Sequence, residues 1–288
     1  MNDFIIFADS GCDLPPQTLA DWGVKHLNLT FKFKDSEQEY ENGDIPAKEF
    51  FDRMRDGSVA TTSAVNMDSF KAAFRRLLED GKNIFYLAFS SGLSTTFNSA
   101  CMAAEELKAE FPERRVLCVD SLSASAGYGM LVYFAVKAKN EGKSMDEIAE
   151  ICVKKREGLC HWFTVDNLTY LKRGGRISPA VAVVGSLLGI KPILHVDDEG
   201  HLVNVSKVRG RNASLSALAD TIGEKAAGKP DSPIYICHAD CMQDVNTLKR
   251  MIADRYKLPV DMVVDIGAVI GAHAGPGTIA VFFSGNSR

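Results

Sequence analysis

Short apolar runs and longer stretches of helical periodicity take turns along the first half of the chain. Phe4 to Ala8, Ile84 to Phe89 and Val116 to Val119 are continuous apolar runs of strand length, each followed by a polar turn and a helical pattern. Strands buried on both faces read as such runs, so the alternation predicts a parallel sheet covered by helices. The clearest helix is Met67 to Glu79, where Phe70, Ala73, Phe74, Leu77 and Leu78 recur at helical spacing. Asn66 precedes it as an N-cap, and Gly81 stands where the chain leaves it. Ser144 and Glu147 have the spacing of a capping box and predict another helix start, ahead of Ile148, Ile151 and Cys152.

The second half is patterned differently. Lys191 to Val196 and His201 to Val205 flank Asp197-Asp198-Glu199-Gly200 and predict an antiparallel hairpin. A helix from about Asn212 to Lys225, a strand from Ile234 to Cys237 and a helix ending near Lys257 follow. Strands from Val260 to Ile266 and from Ile279 to Ser284 complete the pattern. The expectation is an α/β protein of two domains. Residues 1–160 form an N-terminal domain on a parallel sheet with helices on both faces, and residues 161–288 form a C-terminal α/β domain with a mixed sheet.

Composition keeps this picture and removes others. Hydrophobic residues at 46% and charged residues at 24% fit an ordinary globular protein and speak against disordered or fibrous classes. The 33 basic and 37 acidic residues give a formal charge of −4 with no basic block to follow a phosphate backbone, so nucleic acid is not an expected partner. Met1-Asn2-Asp3-Phe4 lacks the basic segment of a secretory signal. No apolar run reaches the roughly 18 residues that span a bilayer, and a cytoplasmic location is expected. The seven cysteines are odd in number and scattered through apolar segments, which suits reduced thiols. Cys237 and Cys241 flank His238, but no second ligand pair follows, so no metal is expected there.

Ligands of open α/β sheets bind beyond the carboxyl ends of the strands, and in this chain those ends are rich in hydroxyls. Asp9-Ser10 follows the first strand, Thr61-Thr62-Ser63 precedes the Met67 helix, Ser90-Ser91-Gly92-Leu93-Ser94-Thr95-Thr96 follows Phe89, and Asp120-Ser121 follows Val119. Hydroxyls and helix-start amides donate hydrogen bonds, so a site assembled from them suits a carboxylate or a phosphate. Each such residue alone has a local use as a cap or turn former, and only convergence points to a ligand. Ile270-Gly271-Ala272-His273-Ala274-Gly275-Pro276-Gly277-Thr278 lies between two strands and holds one imidazole in a loop stiffened by proline and framed by glycines.

Nucleotide and metal-hydrolase motifs are missing: there is no G-x-x-x-x-G-K-[ST], no G-x-G-x-x-G after the first strand and no H-E-x-x-H. Gly92-Leu93-Ser94-Thr95-Thr96 ends in threonine where a nucleophile elbow has glycine. No cofactor is expected. A hydrolase of acyl esters using Ser94 and His273 stays open, as does a module that binds another small anion.

Six segments, in order from residue 9 to 277, resemble the DegV family. They are Asp9-Ser10 with Asp13-Leu14-Pro15, Thr62-Ser63, Ser90-Ser91-Gly92-Leu93-Ser94, Leu168 through Ile177, Gly189 through Leu194, and His273-Ala274-Gly275-Pro276-Gly277. The resemblance implies a bacterial fatty-acid-binding protein of the FakB type, a carrier without catalysis of its own, with the acyl chain in a tunnel between two α/β domains. It implies two partners, a long-chain fatty acid and a separate ATP-using fatty acid kinase subunit that converts the held carboxylate to an acyl phosphate. By the same resemblance the carboxylate meets the hydroxyls of Thr62, Ser63 and Ser94 with His273 beside it. Arg209, or Arg211 close by, would serve kinase docking or phosphoryl transfer. Two departures stand out. Ala64-Val65 replaces the family's Gln-Pro and reshapes the wall near the headgroup, and Thr95-Thr96 replaces Gly-Thr and puts a β-branched residue where backbone approaches the ligand. Burying roughly sixteen carbons at about 0.8 kcal/mol per CH₂ gains on the order of 12 kcal/mol before the costs of binding. Val181 to Ile190 is one candidate stretch for lining that tunnel, its alternative being an ordinary core helix.

Overall fold

The computed structural model describes residues 4–177 and 189–288. Its first half carries β1 (Phe4–Asp9), β2 (Lys25–Leu27), β3 (Thr30–Phe33), β4 (Glu39–Glu41), β5 (Ala60–Ser63), β6 (Asn83–Ala88) and β7 (Val116–Asp120). Four of these form a parallel sheet in the order β2-β1-β6-β7. The apolar runs predicted β1, β6 and β7 to within a residue at each end. The helix Met67–Glu79 is present, and Asn66 Oδ1 accepts the Ser69 amide at 2.9 Å. The capping box of Ser144 and Glu147 is formed at the start of the helix Met145–Glu157.

One sheet departs from the expectation. Strands β3, β4 and β5 make a separate antiparallel sheet in the order β4-β3-β5, so Thr61, Thr62 and Ser63 do not end a parallel strand. Its signal in the sequence is short: Phe31 and Phe33 are buried on either side of exposed Lys32, an alternation only four residues long.

After Glu157 the chain enters a six-stranded sheet. This sheet holds β8 (Leu159–Thr164), β9 (Ile190–Val196), β10 (Leu202–Arg209), β11 (Tyr235–His238), β12 (Met262–Asp265) and β13 (Ile279–Ser284), in the order β10-β9-β8-β13-β11-β12. β11 and β12 run parallel and the other neighbours antiparallel, which makes the sheet mixed. The hairpin of β9 and β10 forms as predicted, with a register shift between Asn204 and Ser206.

Alternation along β8 and β13 divides the core. Cys160, Trp162, Val281 and Phe283 pack outward with Leu215, Leu218 and Ile222 of the helix Arg211–Ala226. Phe163, Ala280 and Phe282 face inward and join the larger cluster, which continues into the first half. Between the two sheets lies the helix Ser125–Asn140, in contact with β1, β8, β11 and β13 and buried almost all round. Such a helix has no polar face to give it a periodic signature.

Several strand-end polar groups hold loops in place. Asp9 is fully buried, and its carboxylate accepts from the Gly11 amide at 2.9 Å, the Tyr86 hydroxyl at 2.7 Å and the Phe89 amide at 2.9 Å. Burial outweighs these bonds and pushes its pKa up to about 6. Ser10 Oγ accepts the Leu29 amide, Asp120 Oδ1 accepts the Ser91 and Leu122 amides, and the Ser121 hydroxyl donates to the Ser123 carbonyl. Asp9→Ala strands the donors of Gly11, Tyr86 and Phe89 and is expected to cost at least about 3 kcal/mol in urea unfolding. A loss below about 1 kcal/mol contradicts this role.

Candidate functional site

A cavity of about 530 Å³ opens between the inner face of the six-stranded sheet and the first half of the chain. Phe163, Ala280 and Phe282 form one side of it, with Leu29, Phe89 and Ile266 adding further apolar wall. On another side polar groups gather: Thr62 and Ser63 from β5, Ser94 from the loop after β6, Arg176 from the turn after the helix Thr169–Arg173, and His273. The four ligand-binding residues expected from the sequence thus all line the same cavity.

His273 is not in a loop. It sits in the last turn of a short helix, Ala268–Ala274, and the glycine and proline turn begins after it. Its Nε2 lies 2.8 Å from Thr62 Oγ1, while its buried Nδ1 has no hydrogen-bond partner among the described residues. An orphaned lone pair is cheaper to bury than an orphaned N–H, so the proton belongs on Nε2, donated to Thr62. The Thr62 hydroxyl is then free to donate onward. Gly174 lies against the ring, where a Cβ would meet Nδ1 at 2.1 Å, so only glycine admits the imidazole at this place. Burial first, and then the Arg176 and Arg173 charges, lower the His273 pKa to about 4.

Ser94 Oγ lies 2.8 Å from Thr96 Oγ1 and accepts the Thr96 amide at 3.2 Å, which anchors it at the start of the helix Thr96–Glu110. Thr95 has φ −78° and ψ 0°, an ordinary conformation, so the replacement of glycine there brings no backbone strain. Ala64 lines the cavity wall and Val65 is buried in the core.

Arg176, within the segment Leu168 through Ile177, is a further polar residue of the cavity lining that the sequence pattern does not single out. The guanidinium is half-buried, and its Nε and Nη2 donate to the Leu93 carbonyl at 3.2 and 3.1 Å, while Nη1 donates to the Gly174 carbonyl at 2.5 Å. No carboxylate reaches it among the described residues, and burial lowers its pKa. Arginine in a Gly-Gly-Arg turn has no local signature that separates it from a surface charge; only the fold brings it against Leu93.

The two arginines linked to a kinase separate. Arg209 ends β10, is exposed and lies outside the cavity wall. Arg211 is engaged within the protein: it donates to Asp244 Oδ2 at 2.8 Å and to the Gly277 carbonyl at 2.6 Å, with Asp166 at 3.5 Å. Of the stretch Val181 to Ile190, residues 181–188 lie outside the described residues and Ile190 opens β9.

With this geometry in place, comparison with known proteins is direct. The family model described as an uncharacterised protein, DegV family, matches residues 3–286. The chain belongs to the DegV family. A DegV domain-containing protein of Clostridium perfringens is 42% identical over 290 residues, spanning 100% of this chain and 99% of its own length. Among DegV structures, a fatty-acid-binding family member from Thermus thermophilus superposes with a TM-score of 0.86 at 29% identity, over 98% of this chain and 99% of that one. DegV of Bacillus subtilis, a fatty acid binding protein, gives 0.85 at 25% identity, over 99% and 100%.

The depressed pKa of His273 in this DegV chain has a measurable sign. Between pH 6.5 and about 4 the unfolded chain takes up a proton that the folded imidazole refuses, so stability falls as pH falls through that window. The contribution is about 2 kcal/mol at pH 5. Nitrogen-detected titration of the protein without added lipid should give a His273 midpoint near 4, and His273→Gln should lose less stability than the wild type between pH 7 and 5. A midpoint near 6.5 contradicts the burial argument.

Proposed function

We propose that this chain binds a long-chain fatty acid, with the tail enclosed between residues 1–160 and 161–288 acting as two domains, and presents the carboxylate to a separate fatty acid kinase. The observation that carries the reading is Arg176, a half-buried cation on the cavity wall bonded, among the described residues, only to carbonyl oxygens. A guanidinium taken partly out of water is stabilised by an anion, and arginine's planar fork suits a carboxylate. No acidic residue occurs in 178–188, so the sequence offers no counter-ion from that segment.

Neutral donors fill in the rest. Thr62 accepts the His273 N–H and so keeps its hydroxyl proton free to donate, and Ser63 and Ser94 add hydroxyls to the same cavity lining. A neutral His273 adds no second charge to compete with Arg176. The apolar side, with Phe163, Ala280 and Phe282, receives the hydrocarbon, which supplies most of the affinity while the headgroup fixes orientation. The family's fatty-acid-binding members from Thermus thermophilus and Bacillus subtilis support the same ligand class.

In this reading the chain does not break or form bonds alone. A carboxylate oxygen attacks the γ-phosphorus of ATP held by the kinase, ADP leaves, and an acyl phosphate remains on this protein. Arg209, exposed at the end of β10, is the proposed contact for the kinase or the transferring phosphoryl group. A cytoplasmic location follows from the need for ATP. Among the described residues no helix is long and apolar enough to cross a membrane. A Ser94–His273 hydrolase has less support, because Nε2 is turned to Thr62 and no described carboxylate orients Nδ1.

Paired variants test both parts. Arg176→Met should weaken palmitate binding by about tenfold or more in calorimetry, the loss of a charge-assisted hydrogen bond. Arg209→Ala should bind palmitate as the wild type does and slow acyl phosphate formation with the kinase. Unchanged affinity in Arg176→Met contradicts the headgroup assignment, and unchanged turnover in Arg209→Ala removes that residue from the kinase contact.

A further inference from the structure

The helix that carries His273 is gripped at its amino end by side chains from the first half of the chain. The Gly267 amide donates to Asp13 Oδ1 at 3.0 Å, and the Val269 amide donates to Asn42 Oδ1 at 3.1 Å. Asn42 Nδ2 donates to the Ser10 carbonyl at 3.3 Å, which ties it to the loop that presents Asp13. The two side chains close so tightly on Gly267 that a Cβ there would lie 2.6 Å from Asn42 Nδ2 and 2.7 Å from Asp13 Oδ1. Close approach, not backbone freedom, calls for glycine here, since the φ of −66° is open to any residue. Midway along the helix, Gly271 offers bare backbone to Phe51, where a Cβ would come within 2.7 Å of the ring.

Asp13 has a second attachment. Its Oδ2 accepts the Ser125 hydroxyl at 2.6 Å, and Ser125 lines the cavity. Asp13 and Ser125 are both non-glycine residues in the left-handed region, with φ of 50° and 53°. Such conformations persist where the surroundings over-determine them, and they gather at functional sites. One carboxylate therefore fixes a wall residue and the helix of His273 together.

We infer that Asp13 and Asn42 are positioning residues for His273, setting the Nε2 contact to Thr62 from outside the cavity, which neither of them lines. The inference rests on the fatty-acid reading of the site. A helix this short and packed moves as a rod, so a shift at Gly267 reaches His273 roughly 9 Å away at 1.5 Å per residue. A displacement on the order of 1 Å takes a hydrogen bond out of range. Headgroup recognition then depends on residues that never touch the ligand.

Dissociation constants of palmitate and of uncharged hexadecanol on the whole chain, read together with the His273 ring-nitrogen shifts, test this. Asn42→Ala is expected to weaken palmitate about fivefold, change hexadecanol less than about twofold and move the Nε2 signal. Asp13→Asn keeps an acceptor for Gly267 and should hold palmitate within about threefold, whereas Asp13→Ala should lose more than Asn42→Ala. Wild-type palmitate affinity with an unshifted His273 signal in folded Asn42→Ala overturns the inference, whether or not Asp13→Ala folds. A wild-type chain that binds no palmitate overturns the fatty-acid reading instead, and the His273 shifts then decide the positioning claim alone.

Discussion

A positive charge taken half out of water, bonded among the described residues to carbonyl oxygens alone, holds one part of the cavity lining of this DegV protein in place. Arg176 pins the Leu93 and Gly174 carbonyls, and these belong to the two segments that carry Ser94 and receive the His273 ring. Its charge also helps keep His273 neutral, because a second cation beside it is disfavoured. Remove the guanidinium and the wall loses both its charge and its frame. In the proposed reading, the hydroxyls of Thr62, Ser63 and Ser94 are weak alone and would select a flat anionic group beside a fixed cation.

The opposite side of the cavity follows from simple alternation. Strands β8 and β13 turn Trp162 and Phe283 into one core and Phe163 and Phe282 toward the other, so the same sheet closes a solid cluster and lines a cavity. Fixed polar groups around this arrangement, Asp9 in the first half and Asp13 between the halves, are buried carboxyls that hold amides in place. Burial raises their pKa to about 6 and about 7 respectively, the cost of putting an acid where water does not reach.

Much of the frame was legible in the sequence because it obeys local rules. Continuous apolar runs marked β1, β6 and β7, a side-chain cap marked the start of Met67–Glu79, and alternation marked the β9–β10 hairpin. What stayed hidden depends on distance along the chain. The alternation of β3 is too brief to stand out, the helix Ser125–Asn140 has no polar face, and the helix of His273 carries Gly267 and Gly271, which serve close packing instead of turns. As a signal for the cavity, the strand-end hydroxyls overcounted: Ser10 and Ser121 serve loops, whereas Thr62, Ser63 and Ser94 line the cavity. Arg176 was invisible because its meaning lies in a carbonyl 83 positions away.

In the proposed reading a half-buried cation and an apolar wall together select an acid with a long hydrocarbon tail. Organic extraction of protein purified from a heterologous host, followed by mass spectrometry, measures this most directly. Close to one long-chain fatty acid per chain is expected, or stoichiometric uptake of added palmitate by protein first stripped of lipid. Protein that yields no fatty acid and takes up none when it is supplied would contradict it.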